Sequence, residues 1–454
     1  MTEALSATQT LARFITESRF ETLPEALRHE GRRSILNHIG CALGVARDPA
    51  VLTALDIMRE SSGKPVASLY GQREKLGVME AAFVNAIASN LLDYDDTHLR
   101  TVIHPSAPVA PAVFALAEET GATGAEVLHA FLLGGEIACR IGNAVSPGHY
   151  ARGWHITAST GVFGAAAAAA RLLRLSPEQT ADALGIAASQ SGSIVENLAT
   201  AAKNIGVGNA ARNGILAARF AARGYHAAPL AIEGPLGWAR AMGDEPVLAE
   251  ITEGLGQRWE IARNTYKPYA AGIVFHAVID ACLALREQLG AAVAQITRVT
   301  VAGDALLLAR GDRVVRNERD TRVSIHHCAA IALALGRADV ADFEMSAVQD
   351  PTLAALREKV MAECDASLPR GAARVTVTLA DGSTHHAYVE HPRGSAERPL
   401  SDDELAAKYR ANAAIGGTTA DVEGQIAALW ALDQAASIAP LMALLSSPAH
   451  NAAG

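Results

Sequence analysis

The densest group of chemically capable side chains lies between residues 93 and 106. Within twelve residues it contains three carboxylates, two imidazoles and one guanidinium, from Asp93, Asp95, Asp96, His98, Arg100 and His104. Crowding such groups costs free energy unless they pair with one another or with a ligand. A carboxylate beside an imidazole can move a proton, and a guanidinium can hold an anion. The spacing predicts proton transfer on an anionic substrate, and the competing interpretation is a solvated acidic loop.

The same aspartates permit a metal interpretation. Asp93-x-Asp95-Asp96 is a spacing that can bind Mg²⁺, as aspartate-rich motifs do in helical isoprenoid synthases. Those enzymes also need a second Asn/Ser/Glu motif and a large aromatic pocket, but the sequence has no such motif and only 5% aromatic residues. His-x-x-x-His and paired Cys/His spacings, which would indicate zinc, are also missing from the sequence. We therefore expect neither a metal nor another cofactor.

A second imidazole precedes the most apolar part of the chain. His155 follows Gly153-Trp154 and stands before the run Thr157–Ala170, which predicts that it lies at a helix N-terminus. That position favours a neutral imidazole or an anion beside it. The alternative is a capping or core histidine. With Asp93 and His104, His155 completes the set of candidate catalytic residues, because an imidazole exchanges protons near neutral pH.

Two lysines are candidates for holding substrate carboxylates. Lys203 begins a stretch with the pattern G-x-G-x-x-A (Gly206 to Ala211), but no strand precedes it, so the pattern is weak evidence for a dinucleotide site. The glycines either let backbone amides approach a carboxylate or allow close helix packing. Lys267 lies in Tyr266-Lys-Pro-Tyr269, where the purely helical sequence pattern gives way to a mixture of strand and helix patterns. Tyr266 or Tyr269 can supply a proton. Arg322, Ser324, His326 and His327 begin a later helix that we expect to close over the same cleft.

The elements that must position these residues are mainly helical. Apolar residues recur at helical spacing in 33–43, 81–92, 126–145 and 161–173. Capping boxes are predicted at Thr22, Thr123, Ser176 and Ser401. Strands are predicted at 296–301, 375–379 and 384–389, and helices at 324–335 and 352–361. We therefore predict a mainly α fold, with an all-helical domain (1–264 and 404–454) interrupted by a smaller α+β lid domain (265–403).

Composition excludes several classes of function. The 454 residues are 50% hydrophobic and carry a net charge of −9 without a basic track, so nucleic-acid binding is not expected. The five cysteines are scattered and form no CxxC pair, which is typical of reduced, buried thiols. The N-terminal residues read as an amphipathic helix, and the run 157–170 is too short to cross a bilayer. We expect a cytoplasmic protein with no membrane partner.

Taken in order, the four motifs resemble the MmgE/PrpD family. They are Asp93-Tyr-Asp-Asp-Thr97 with His104-Pro-Ser106, Gly153-Trp-His155, Lys203 with Gly208-Asn-Ala-Ala-Arg-Asn-Gly214, and Tyr266-Lys-Pro-Tyr269. The resemblance covers essentially the whole chain. The family includes 2-methylcitrate dehydratase, cis-aconitate decarboxylase and iminodisuccinate epimerase.

The resemblance implies a homodimer without a metal or organic cofactor. It also implies that the matching motif positions line an active site: Asp93, Thr97, His104, His155, Lys203 and Lys267. We add Tyr266 and His327 as substrate-binding candidates, and His327 stands near the position where several members carry a tyrosine. The expected reaction is dehydration of a small 2-methylcitrate-type hydroxy-polycarboxylate. The alternatives are an epimerase acting on a dicarboxylate, a cis-aconitate-type decarboxylase, and a binder of organic acids that has lost catalysis.

Overall fold

The computed structural model describes residues 5–418 and 421–446. The α-helices are α1 (Ala7–Glu17), α2 (Glu25–Gly44), α3 (Pro49–Ser61), α4 (Val78–Asn90), α5 (Ser106–Thr120), α6 (Gly124–Val145), α7 (Gly148–Ala151), α8 (Ile156–Leu172), α9 (Pro177–Ala188), α10 (Ala202–Ala222), α11 (Trp238–Met242), α12 (Ala249–Thr252), α13 (His276–Leu289), α14 (Ala305–Gly311), α15 (Glu318–Thr321), α16 (Ile325–Leu335), α17 (Met345–Gln349), α18 (Pro351–Arg357), α19 (Asp402–Ile415), α20 (Val422–Trp430) and α21 (Ala439–Leu445). The strands are β1 (Ala67–Ser68), β2 (Lys75–Leu76), β3 (Asp96–His98), β4 (Asn264–Tyr266), β5 (Ile296–Gly303), β6 (Val360–Cys364), β7 (Ala373–Leu379) and β8 (Thr384–Val389). The prediction of a mainly α fold with a small sheet region is confirmed.

The described residues fold into two compact units. The helical unit consists of residues 5–91, 95–264 and 401–446, apart from 419 and 420. The α+β unit consists of residues 265–400 together with the short segment 92–94. The chain therefore contributes residues 92–94 to the α+β unit long before it reaches the rest of that unit.

Helix α8 forms the centre of the helical unit. Almost every residue from Ile156 to Leu172 is buried, including the run of alanines at 165–170. Small side chains allow neighbouring backbones to approach closely. A Cβ on Gly134 of α6 would lie 2.6 Å from the carbonyl oxygen of Gly164, and a Cβ on Gly214 of α10 would lie 2.6 Å from the amide nitrogen of Ala166. The alanines and glycines of these helices thus fix how tightly the helices pack.

The predicted helix starts are mostly confirmed. Thr123, Ser176 and Ser401 each form a reciprocal capping box with the residue three positions on. The box predicted at Thr22 is wrong, because Thr22 ends a short 3₁₀ turn and Pro24 precedes α2 instead. A proline at that position fixes the backbone of the helix start without a side-chain hydrogen bond.

The α+β unit is built on a four-stranded sheet in the order β6-β5-β7-β8. Strands β5 and β6 are parallel, whereas β7 is antiparallel to both β5 and β8, with Val299 opposite Val377. Alternate residues of β7 are buried, from Ala373 to Leu379. Helix α13 packs on β7 and β8, and α16 packs beside β6. The three predicted strands are confirmed.

One predicted helix of this unit is wrong at its end. The helical pattern at 352–361 gives a helix only as far as Arg357, and Val360 begins β6. Pairing with Val299 of β5 overrides the local helical spacing. In the residues that the structure describes, no helix is both long enough and apolar enough to cross a membrane.

Candidate active site

The polar segment at 93–104 is divided between the two units. Residues 92–94 belong to the α+β unit, whereas Asp95 and all residues up to Asn264 belong to the helical unit. The segment thus contributes side chains to one cluster in each unit.

In the helical unit, the loop that carries Thr97 and His104 is pinned at its base. His98 and Ile103 pair as an isolated β-bridge, and Val102 adopts a left-handed φ of 57° inside the turn. The ring of His98 is buried, with Nδ1 2.7 Å from the hydroxyl of Thr101 and Nε2 3.2 Å from a carboxylate oxygen of Glu260. The hydrogen bond from His98 lowers the pKa of Glu260 to about 2, so Glu260 is ionised at neutral pH. This loop is fixed rather than mobile at its base.

The imidazole of His104 is held in one tautomer. Its Nδ1 lies 2.6 Å from the backbone carbonyl oxygen of Asp96, which can only accept, so Nδ1–H is the donor. The hydroxyl of Thr97 lies 3.2 Å from the same nitrogen, and a carboxylate oxygen of Asp95 lies 3.7 Å from it. All three groups face one edge of the ring. The Nδ1 edge of the ring is therefore engaged, and proton transfer by His104 would use Nε2.

Two buried carboxylates stand behind this imidazole. Asp95 and Asp96 are both fully buried. Asp95 accepts a hydrogen bond of 2.5 Å from the amide of Asn90. One carboxylate oxygen of Asp96 accepts from the hydroxyl and amide of Ser106 and, at 2.5 Å, from the amide of Asn264. Burial, reinforced by the charge of Asp95, raises the pKa of Asp96 to about 7.

Helix α10 connects Lys203 to this cluster. Lys203 is the second residue of the helix and is buried, and the neighbouring Asn204 donates 3.1 Å to Asn90, which in turn donates to Asp95. The structure thus links the start of α10 to Asp95 through Asn204 and Asn90. The interpretation of the glycines as amide donors to a ligand is wrong. Gly208 lies inside the helix, and a Cβ there would lie 2.8 Å from the ring of Phe83, so the glycines serve packing.

His155 occupies the predicted helix start. It is the residue immediately before α8, it is buried, and its side chain makes no capping hydrogen bond to the helix. Two residues further on, the hydroxyl of Thr157 accepts a hydrogen bond of 3.1 Å from the backbone amide of His104. The first turn of α8 is therefore bonded directly to the chain at His104.

In the α+β unit, Lys267 and Asp93 form a buried ion pair. The ammonium of Lys267 lies 2.9 Å from a carboxylate oxygen of Asp93 and 3.0 Å from its carbonyl oxygen, and the lysine is 1% exposed. Asp93 has a left-handed φ of 54°, a conformation that costs free energy for a residue other than glycine. The adjacent Tyr94 donates 3.1 Å to the carbonyl of Pro268. Residues 92–94 are thus fastened to the Tyr266–Tyr269 motif, which lies 174 positions further along the chain.

The two tyrosines of that motif are buried. A Cβ on Gly394, whose φ is +83°, would lie 2.6 Å from the ring of Pro268, so only glycine lets this loop approach the motif. The hydroxyl of Tyr269 donates 2.6 Å to Asp280, and burial raises the pKa of this tyrosine well above its usual range. Tyr269 is therefore committed to a structural hydrogen bond, whereas Tyr266 ends β4 next to Lys267.

His327 is engaged inside the α+β unit. Its Nε2 donates 2.8 Å to the carbonyl of Asp342, and its Nδ1 lies 3.2 Å from the guanidinium of Arg357. Burial lowers the pKa of His327 to about 4, so the ring is neutral at physiological pH. Both ring nitrogens have protein partners, and we do not assign His327 a part in proton transfer.

Sequence reasoning missed the buried amides that support the site. Asn90 and Asn204 stand at the end of α4 and the start of α10, where polar side chains are unexpected among apolar neighbours. A buried amide in an otherwise apolar helix was the available signal, because such groups are kept only when they are hydrogen-bonded. Their role follows from a contact between residues 114 positions apart.

Two family models match consecutive parts of the chain. The model of the MmgE/PrpD N-terminal domain matches residues 9–250, and that of the MmgE/PrpD C-terminal domain matches residues 269–434. The chain is 29% identical over 462 residues to the cis-aconitate decarboxylase of Homo sapiens, covering 98% of this chain and 95% of that protein. It is 27% identical to the cis-aconitate decarboxylase of Aspergillus terreus over 94% of this chain and 93% of that protein. It is also 26% identical to the cis-aconitate decarboxylase-like protein oryM of Aspergillus oryzae over 97% of both chains.

Proposed function

The chain belongs to the MmgE/PrpD family and is an enzyme of the lyase type, and we propose that it removes CO₂ from a small unsaturated tricarboxylic acid of the cis-aconitate class. The proposal is supported by relatives of that activity along nearly the whole chain. The observation that carries it is the orientation of His104, whose Nδ1–H is held by a carbonyl and flanked by a carboxylate.

Decarboxylation of such an acid needs a proton donor and fixed cations. The bond to the departing carboxylate breaks, and its electron pair forms a new carbon–carbon double bond. The original double bond shifts its electron pair to the neighbouring carbon, which takes up a proton. The site must supply that proton and stabilise the negative charge that develops meanwhile.

We assign the proton to His104. In the imidazolium form, the Nε2–H proton is given to the substrate carbon, and the neutral ring is then reprotonated by water. Thr97 and the carbonyl of Asp96 keep the ring in place during the transfer. His155 is the second proton-transfer candidate, because it is buried immediately before α8, whose first turn is bonded to the backbone of His104 through Thr157.

The remaining carboxylates are assigned to Lys203 and Lys267, with Tyr266 beside the second. Both lysines are buried, and a desolvated ammonium binds a carboxylate more strongly than an exposed one. In the structure the carboxylate of Asp93 pairs with the ammonium of Lys267 and partly neutralises it. A substrate carboxylate that binds Lys267 therefore meets both charges. We also propose that the enzyme is a homodimer, which light scattering checks as a mass of about twice the 47.3 kDa chain.

An assay in D₂O tests the proposed reaction. The protein is incubated separately with cis-aconitate, with 2-methylcitrate and with iminodisuccinate, and CO₂ release is measured beside proton NMR. We expect CO₂ from cis-aconitate and one deuteron in the product. Loss of water from 2-methylcitrate without CO₂ would instead support the dehydration expected from the sequence, and deuterium exchange without net conversion would support an epimerase. Binding of all three without turnover would make the protein an organic-acid binder.

A further inference from the structure

A buried guanidinium that the proposed reaction does not yet use lies in the α+β unit. Arg322 follows α15, and it precedes α16 by three positions. Its side chain is about nine-tenths buried, with 9% of the residue exposed. Burial lowers the pKa of Arg322 to about 10, so it remains a cation at neutral pH.

The partners of Arg322 do not neutralise its charge. One guanidinium nitrogen donates 3.0 Å to the carbonyl of Ala270 and approaches the carbonyl of Leu92 at 3.5 Å, and the group lies 5.6 Å from the ring of Phe343. Within residues 5–418 and 421–446, Arg322 forms no ion pair with a carboxylate. Carbonyl oxygens and an aromatic face offset only part of the cost of burying a full charge.

The segment that Arg322 contacts already holds another buried cation. Leu92 precedes Asp93, whose carboxylate is bound by Lys267 at 2.9 Å. Asp93 is also the largest favourable charge acting on Arg322. One carboxylate, that of Asp93, thus lies near two buried cations around residues 92–94, and the charges of Arg319, Glu318 and Glu344 act on Arg322 as well. Such an arrangement is suited to an additional anion.

We infer that Arg322 is a further substrate-binding residue, which holds a carboxylate other than the one assigned to Lys267 and so selects acids by their number of carboxylates. This inference rests on the proposed function, because it concerns the same polycarboxylic substrate. The planar guanidinium can bind a carboxylate through two parallel hydrogen bonds, which gives geometric selectivity that an ammonium lacks. A purely structural role, in which Arg322 only ties Leu92 to Ala270, predicts different results.

The test compares two unreactive acids that differ by one carboxylate. Propane-1,2,3-tricarboxylate and glutarate share the same five-carbon backbone, and calorimetry gives the Kd of each for the wild type, Arg322→Gln and Arg322→Lys. We expect Arg322→Gln to raise the Kd for the tricarboxylate by about 10- to 150-fold, which is the effect of losing a hydrogen bond to a charged group. The Kd for glutarate should change little. Arg322→Lys should recover part of the loss.

The control variant is Arg319→Gln on α15, which removes a cation that also acts on Arg322 but leaves the buried guanidinium in place. It should keep the ratio of the two Kd values. If Arg322→Gln weakens both acids equally, or lowers the melting temperature while leaving the ratio unchanged, Arg322 is a structural tie and the inference fails. The binding ratio is measured without turnover, so it stands apart from the D₂O assay, whose failure would overturn the proposed reaction instead.

Discussion

His104 is the residue on which the proposed chemistry depends most directly. Its Nδ1 edge is occupied by the carbonyl of Asp96 and by Thr97, and the proposal assigns the transferred proton to Nε2. We expect His104→Ala to lower kcat by roughly 10²–10⁴-fold, the usual contribution of a general acid or base. The Kd for propane-1,2,3-tricarboxylate should change little, because the lysines that we assign to binding remain.

The matched control is His326→Ala, which removes a partly exposed imidazole paired with Asp312 in the α+β unit. Its turnover should stay near that of the wild type. Measuring His155→Ala beside His104→Ala shows which imidazole moves the proton. Near-normal turnover per folded molecule in both variants would exclude the histidines as the acid, leaving them as structural residues.

Asp96 gives a prediction for stability against pH. Its pKa is about 7 in the folded protein and about 4 in an unfolded chain. Between these values the folded state binds more protons than the unfolded state, so the free energy of unfolding falls as the pH rises. Asp96→Asn removes the contribution of this carboxyl group to the pH dependence. Between pH 4 and pH 7, the free energy of unfolding of the wild type should fall by roughly 2–4 kcal/mol relative to that of the variant.

Urea unfolding of both proteins across that pH range measures the difference. Groups that do not interact with Asp96 titrate alike in the two proteins and cancel, whereas Asp95, whose charge acts on Asp96, is part of the measured difference. If the difference in the free energy of unfolding between the two proteins does not change with pH, Asp96 has the same pKa in the folded protein as in the unfolded chain.

What the sequence predicts at this scale is the identity of the residues rather than their partners. Asp93, His104 and His155 stand out because their types and spacing have few structural explanations. The pairing of Asp93 with Lys267, 174 positions away, follows only from the folded chain. The same holds for Asn264, which binds Asp96 from 168 positions away. Pattern reasoning treats the segment 93–104 as one loop and cannot show that two compact units divide it.

At the scale of elements, sequence patterns succeed where burial and local preference agree. The capping boxes of α6, α9 and α19 are predicted because the cap and the apolar periodicity begin together. The helix predicted at 352–361 fails after Arg357, where a long-range strand pairing wins over local spacing. The glycines of α10 also mislead, because a pattern that is typical of ligand loops here serves the contact between two helices.

The contact between α10 and α8 gives a prediction for Gly214. A Cβ there would lie 2.6 Å from the amide nitrogen of Ala166 and 2.7 Å from the carbonyl carbon of Ala165, which are backbone atoms of α8 that cannot move alone. We expect Gly214→Ala to destabilise the protein by roughly 1–3 kcal/mol through overpacking, even though alanine favours helix formation by up to about 1 kcal/mol. Urea unfolding measures the change.

Gly192→Ala is the control, because a Cβ at that loop position meets nothing within 4 Å. It should leave the free energy of unfolding within about 0.5 kcal/mol of the wild type. Since α10 carries Lys203, a shift of the helix in Gly214→Ala should also weaken tricarboxylate binding. Unchanged stability in Gly214→Ala would mean that the two helices separate at little cost.

At the scale of the whole molecule, the acidic character of the chain raises the question of a divalent cation. The net charge is −9, and the aspartate-rich segment has a spacing that can bind Mg²⁺. In the structure each of these carboxylates is already bound by a donor: Asp93 by the ammonium of Lys267, Asp95 by the amide of Asn90, and Asp96 by Ser106 and Asn264. A cation at Asp93 would also meet the positive charge of Lys267. A magnesium ion would have to displace these donors, which opposes its binding.

We therefore expect turnover to survive the removal of metal ions. EDTA is itself a polycarboxylate and can compete with the substrate, so the protein is treated with EDTA, passed through a desalting column into metal-free buffer and then assayed. The neutral chelator 1,10-phenanthroline is used in parallel, since it cannot occupy a site built from lysines. Turnover should stay within about twofold of the untreated enzyme, because the proton and the charge stabilisation come from side chains. Loss of activity after EDTA treatment and desalting, restored by Mg²⁺, would show that the aspartates bind a catalytic cation after all.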